Sequence, residues 1–175
     1  NEEMIDLVDT LLNISKIEIG TFSVESKATN VQELFESVLV ELSEQINKKG
    51  IRVEKRYRDA LLNIKNDPKL LRIVIQNLLS NAVKYTPGNG TITVTLKQSI
   101  FEKVITITDS GIGIPKQEQN RIFTKMFRAQ NARNLITSQG TGLGLYMVKS
   151  IVDALGGSIS FVSEENKGSS FIVKI

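Results

Sequence analysis

Three short stretches carry residue types that could handle a phosphorylated ligand. The first is Asn77-Leu78-Leu79-Ser80-Asn81-Ala82-Val83-Lys84-Tyr85. Wound as a helix at about 100° per residue, it places Asn77, Asn81 and Lys84 within an arc of roughly 60°. Amide oxygens suit a hard cation such as Mg²⁺, and an ammonium suits a phosphate. The second is Gly140-Thr141-Gly142-Leu143-Gly144, which opens onto a helix. Small residues let backbone N–H groups approach an anion, and a helix N-terminus adds a favourable dipole. No Gly-Lys-Ser/Thr follows as in a Walker A loop, and no strand precedes it as a dinucleotide fingerprint requires. The third is Asp109-Ser110-Gly111-Ile112-Gly113-Ile114, at the end of a strand pattern. A carboxylate there can accept a hydrogen bond from the amine at the six position of adenine, where guanine offers a carbonyl. Its two glycines let a base plane approach the backbone. Taken singly, each stretch has a plainer reading: a solvated helix flank, a loop tightened for packing, and an Asx-turn closing a strand.

The surrounding elements must hold these groups. On the helix that carries Asn77, a separate stripe of Leu71, Val74, Ile75, Leu78 and Ala82 can pack on a core while the polar flank stays open. Asp67-Pro68 starts that helix as N-cap and first helical residue, and Pro87 ends it. Thr91–Leu96 and Val104–Thr108 alternate as the arms of an antiparallel hairpin, which puts Asp109 at a strand end. A short helix ending near Phe127 is expected next, then a polar, mobile segment over 128–142 without an apolar period. Leu143–Leu155 reads as a helix stopped by Gly156-Gly157, and Ser158–Ser163 and Ser170–Ile175 as two strands joined by a turn at Glu164–Gly168.

Upstream, residues 1–19 carry two apolar stripes, Met4/Leu7/Leu11/Ile14 and Ile5/Val8/Leu12/Ser15/Ile19, with Gly20 as the stop. So broad an apolar face implies a missing partner, an upstream helix or a second copy of the chain. Residues 21–29 read as a polar connector. Asn30 with Glu33 caps a helix that runs to about Lys49, with Gly50 behind it, and Ile51–Arg56 alternates as a half-exposed strand. The run Arg52, Lys55, Arg56, Arg58 is either a docking patch or a solvated strand face.

Composition narrows the chemistry. The chain has 175 residues, 41% hydrophobic and 23% charged, enough for one domain with a real core. A net charge of +3 is too small to argue for nucleic acid. There is no Cys and no His, which removes thiolate chemistry, disulfides, His-based triads and His metal ligands. No apolar run approaches the roughly 20 residues of a membrane span, and no signal peptide is visible.

In order and character the three stretches, with Ile122-Phe123-Thr124-Lys125-Met126-Phe127-Arg128 between them, resemble the catalytic and ATP-binding domain of sensor histidine kinases, of the superfamily that includes gyrase and MutL. Asn77–Tyr85 is similar to the N box, Asp109–Gly113 to the first G box, Ile122–Arg128 to the F box and Gly140–Leu145 to the second G box. Leu11–Gly20 is similar to the end of the second dimerisation helix. The resemblance implies an α+β fold, a two-layer sandwich with helices on one face of a mixed, mostly antiparallel sheet, plus an N-terminal helix stub. It divides the chain into a hairpin end at 1–20, a connector at 21–29 and a kinase domain at 30–175 with a lid at about 128–142. It implies ATP and Mg²⁺ as ligands. Asn81 would ligate the metal, Asn77 would support it or the phosphates, and Lys84 would pair with the phosphates. Tyr85 would lie against adenine and Asp109 would bind its amine. Gly111, Gly113 and Ile114 would shape the base pocket, and Gly140, Thr141, Gly142, Leu143 and Gly144 the phosphate-facing hinge. Phe123 and Phe127 would anchor the lid, and Arg128 would reach the terminal phosphate.

Hydrolytic members of that superfamily carry a glutamate four residues before the metal-binding Asn. Here that place is Asn77, which cannot take a proton at neutral pH. The expected reaction is therefore phosphoryl transfer to another group, which positioning and charge neutralisation can drive without a base in this domain. With no His in the chain, the acceptor histidine is expected N-terminal to residue 1, with a homodimer in the full protein and a response-regulator receiver as the next partner. The same resemblance implies a cytoplasmic domain of a membrane-anchored parent. A serine kinase of the anti-sigma-factor type and a scaffold that has lost its nucleotide are the alternatives.

Overall fold

The computed structural model describes Leu12, Ser15 and residues 24–57, 63–99, 102–135 and 140–175. The expected helix over residues 1–19 with its stop at Gly20 lies outside the described residues except for Leu12 and Ser15, as do Arg58, Ile100 and Phe101.

The longest helix forms where its caps predict. Asp67 is the N-cap of α3 (Pro68–Tyr85; α1 and α2 are given below): its Oδ1 accepts from the Lys69 and Leu70 N–H groups at 2.9 and 3.2 Å. Its Oδ2 accepts from the Glu25 N–H at 2.9 Å, so the cap also anchors the incoming chain. Thr86, next to Pro87, is extended and ends the helix. All five residues of the expected apolar stripe are buried, together with Leu70, Leu79 and Val83.

Five strands build the main sheet in the order β2 (Arg52–Tyr57), β4 (Thr91–Gln98), β5 (Lys103–Asp109), β7 (Gly168–Lys174), β6 (Ser158–Glu164). Only the β2/β4 pair is parallel, and α3 lies in the connection that makes it so. The helices α1 (Val31–Glu41), α3 and α5 (Gly144–Ala154) share the core with the inward-facing strand residues Ile92, Val94, Leu96, Ile105, Ile107, Phe171 and Val173. This is the two-layer α+β sandwich with a mostly antiparallel sheet that the family resemblance implies.

Three local expectations need correction. The helix expected from Asn30 to Lys49 is two helices, α1 and α2 (Ser43–Lys49), that meet at Leu42. There the Ser43 hydroxyl donates to the Val40 carbonyl at 2.6 Å, a side-chain competitor inside the backbone ladder. The polar stretch before Asn30 ends in a strand, β1 (Lys27–Asn30), which pairs antiparallel with β3 (Asn63–Asn66), an element the sequence did not announce. Between Pro115 and Phe127 the helix is a single 3₁₀ segment, Lys116–Arg121, and a four-residue helix, α4 (Gln130–Arg133), follows in the expected lid.

The end of α3 is held from outside. Lys49 Nζ donates to the carbonyls of Val83, Lys84 and Thr86 at 2.7, 2.8 and 3.0 Å, meeting the orphan acceptors and the negative end of the dipole at once. Its partial burial depresses the ammonium's pKa, so these three acceptors replace lost water. Lys49→Met keeps the aliphatic stem and removes all three bonds. Urea unfolding should show a loss of about 2 kcal/mol, the scale of charged hydrogen bonds; an unchanged midpoint would mean solvent replaces the ammonium without cost.

Candidate functional site

The flank of α3, the end of β5 and the start of α5 meet around one cavity of about 250 Å³. Asn77, Asn81, Lys84 and Tyr85 line it from α3 because the core stripe fixes the rotation of that helix. Asp109 lines it because it has the same parity as Ile105 and Ile107 along β5, so it points inward where the apolar core stops. Gly113, Ile114, Arg128, Gly140, Thr141, Gly142 and Gly144 complete the expected set around it.

Two expected residues do not line the cavity. The Gly111 N–H donates to Asp109 Oδ1 at 2.8 Å, so this residue shapes the carboxylate from behind. The Leu143 side chain is in the hydrophobic core; its N–H donates to the Thr141 hydroxyl at 3.3 Å and braces the turn into α5. Phe123 packs edge-on to Phe161, ring centroids 5.8 Å apart. Phe127 is at the cavity itself, under the Arg121 guanidinium at 4.6 Å. The cavity also uses Ile112, Asn131, Ser169 and Phe171, which sequence reasoning missed. Ser169 could have been found only from the strand register, which sets it directly beside Asp109.

Asp109 is 7% exposed. Burial raises its pKa to about 6, against the pull of the Gly111 and Ser169 N–H groups that donate to it. The cations are equally constrained. Desolvation lowers the Lys84 pKa first, and the Arg128 guanidinium nearby lowers it further. Arg128 also donates to the Tyr85 hydroxyl, to the Gly140 carbonyl at 3.3 Å and to the Ala132 carbonyl at 3.2 Å, tying both sides of the expected lid to α3. Two cations this close favour an anion between them.

The glycine segment makes the cradle. A Cβ on Gly140 would sit 2.7 Å from Lys84 Nζ, and one on Gly144 would sit 2.7 Å from Asn77 Oδ1. Gly142 has φ +73°, and its missing Cβ leaves room for the Met126–Phe127 backbone. Asn77 Nδ2 donates to the Ile73 carbonyl at 2.9 Å, which leaves its Oδ1 on the Gly144 side.

A sequence profile for histidine kinase-, DNA gyrase B- and HSP90-like ATPases matches residues 66–175, which contain every one of these groups. The chain belongs to this ATPase family. The adaptive-response sensory kinase SasA of Gloeothece citriformis (strain PCC 7424) is 36% identical to this chain over 166 residues, 94% of this chain and 42% of that protein. The signal transduction histidine-protein kinase BarA of Escherichia coli (strain K12) is 32% identical over 174 residues, 96% of this chain and 19% of that protein. The chain thus spans less than half the length of these curated relatives. Among solved structures, the catalytic domain of histidine kinase ThkA superposes with a TM-score of 0.75 at 30% identity, covering 86% of this chain and 95% of that one. Full-length ShkA in complex with AMPPNP superposes at 0.84 with 24% identity, covering 98% of this chain and 35% of that one, a likeness of fold.

Mg²⁺ fits the ATPase domain's donor set only in company with phosphate. Among the described residues no group of three His, Cys, Asp or Glu side chains could hold a metal. The cavity offers the carboxamides of Asn77 and Asn81 instead. Mg²⁺ keeps several waters and takes its remaining ligands from a few oxygens and the substrate's phosphates, so such a sparse set is sufficient.

The raised pKa of Asp109 has opposite consequences for the empty and the filled domain. With its folded pKa near 6, above the ordinary carboxylate value of 3.8, the folded state holds this proton more tightly than the unfolded one. Its contribution to stability is fully present below the unfolded pKa and is lost as pH rises through about 6. A carboxylate is a stronger acceptor for an amine than the carboxylic acid, so if Asp109 holds the adenine amine, adenine-dependent stabilisation should weaken as pH falls through the same value. Thermal melts from pH 4.5 to 8 with and without adenosine, using Asp109→Asn as the reference, should show both trends. Adenosine-dependent shifts flat across this range would assign Asp109 another role.

Proposed function

We propose that this domain binds Mg-ATP and serves as the catalytic domain of a sensor histidine kinase, delivering the γ-phosphoryl group to a histidine outside the chain. The observation that carries the reading is the shared cavity: a buried carboxylate suited to an adenine amine and a phosphate cradle with two cations border the same space. Asp109 accepts from the amine, Gly113 and Ile114 border the base, and Tyr85 lies against it. Lys84 and Arg128 neutralise phosphate charge, with the N–H groups at Gly140–Gly144 beside them. Asn81 would hold the metal through its amide oxygen, with Asn77 in support. Bound Mg²⁺ would supply charge neutralisation on the phosphates and orient them.

Asn77 makes the domain a poor hydrolase, because a carboxamide cannot accept the proton of an attacking water at neutral pH. The acceptor is a histidine on another segment, since this chain contains none. In this reading the acceptor lies on a helical hairpin N-terminal to the domain, the parent protein dimerises through that hairpin, and a receiver-domain aspartate takes the group onward. The domain works in the cytoplasm, where ATP is, under a membrane-anchored parent. The histidine-kinase and sensory-kinase names of relatives that match over most of the chain support this reading over a serine kinase.

Thermal shift with nucleotides tests the pocket. ATP with Mg²⁺ should raise Tm and GTP should not, and both Asp109→Asn and Asn81→Ala should abolish the effect. Binding that survives both substitutions would remove the site. Steady-state hydrolysis should stay far below about 1 s⁻¹, and a rate in the ordinary enzyme range would contradict the role given to Asn77. Gly144→Ala separates folding from binding. Alanine in a helix is favoured over glycine by up to about 1 kcal/mol, so Tm should hold or rise. ATP affinity should fall, because the new Cβ displaces Asn77 Oδ1; unchanged affinity would take Asn77 out of the site.

A further inference from the structure

We propose that Asn131 is a positioning residue for the base: it moors α4 to the Ile112–Gly113 backbone, so that this part of the lid belongs to the wall around the base and not to its phosphate-facing end. The inference rests on reading the cavity as the ATP site.

A helix of four residues cannot persist by its own ladder, since nucleation alone exceeds what it returns. α4 therefore exists through its outside bonds. The Gln130 N–H donates to Glu118 Oε2 at 2.9 Å, Arg128 donates to the Ala132 carbonyl, and Arg133 Nε donates to the Arg128 carbonyl at 2.9 Å. These contacts hold α4 in shape and to the 3₁₀ segment. Asn131 supplies the link to the base loop: its Nδ2 donates to the Gly113 carbonyl at 3.0 Å and, more weakly, to the Ile112 carbonyl at 3.4 Å. The alanines on either side, Ala129 and Ala132, are buried and border the cavity, small enough for α4 to lie close.

The loop that Asn131 grips cannot recede. The Ile112 N–H donates to the Tyr85 carbonyl at 3.2 Å, and the Ile112 carbonyl also accepts from the Asn166 N–H at 2.8 Å. At Gly113, φ is +62° and a Cβ would lie 2.0 Å from the Glu164 carbonyl oxygen, so the backbone there is pressed against the β6–β7 turn. The base loop is braced from behind, and Asn131 sets the position of the wall in front. The side chain is not there for packing. Its Oδ1 is buried and has no hydrogen-bond partner among the described residues, a cost that an apolar residue would avoid. What the carboxamide adds is the donor on the two carbonyls.

The test is titration of the 175-residue chain with adenosine, ADP and Mg-ATP, comparing wild type with Asn131→Ala and with Asn131→Asp, which keeps the shape and loses the donor. Both variants should raise all three Kd values by one common factor, about fivefold or more. Lys84→Ala should instead weaken ADP and ATP and spare adenosine. Unchanged adenosine affinity in both Asn131 variants, or a loss confined to ATP, overturns the proposal. Amide exchange on the wild type is an independent check: adenosine alone should slow exchange across Gln130–Arg133, and no change there overturns it too. A wild-type chain that binds none of the three ligands removes the ATP reading, and this inference with it. Binding by the wild type with unaffected variants removes the inference alone.

Discussion

A carboxylate at the inward end of a hydrophobic strand is costly unless something meets its charge. At Asp109 the answer is two backbone N–H groups, one from the turn just after it and one from β7. They hold the side chain ready without neutralising it, which leaves a buried acceptor short of donors. Much of the pocket depends on that imbalance. The glycines behind the carboxylate let the turn close on it, and the neighbouring strand must sit in exact register for Ser169 to reach it.

The cationic side of the cavity repeats the strategy with the sign reversed. Lys84 and Arg128 are brought together, and Arg128 donates to two carbonyls and a hydroxyl. A phosphate entering the cavity would therefore meet positive charge that these bonds already orient. α3 connects the two sides. Its core stripe sets its rotation, its caps set its length, and Lys49 secures the end from which Lys84 and Tyr85 project.

How much of this could be read beforehand follows from where the information lies along the chain. The caps of α3, its polar flank and the β4–β5 hairpin are local, written in neighbouring residues, and they stand as expected. The β1–β3 pair was not legible. Its strands are four residues each, Lys-Ala-Thr-Asn and Asn-Ile-Lys-Asn, too short and polar to alternate clearly, and they pair across more than thirty residues. α4 escaped for a related reason: its helical form comes from Glu118, Arg128 and Arg133, not from any period of its own. Ser169 and Asn131 carry no motif, and only the pairing of strands and the docking of α4 bring them to the cavity.

The partnership between β5 and β7 also dictates an order of events during synthesis. Thr108 and Ser170 face each other although 62 residues separate them. A nascent chain can close the β4–β5 hairpin early, yet it has no complete base pocket until β7 has left the ribosome and docked. Until then the carboxylate lacks its second donor, and nucleotide cannot act as a folding template for the earlier half.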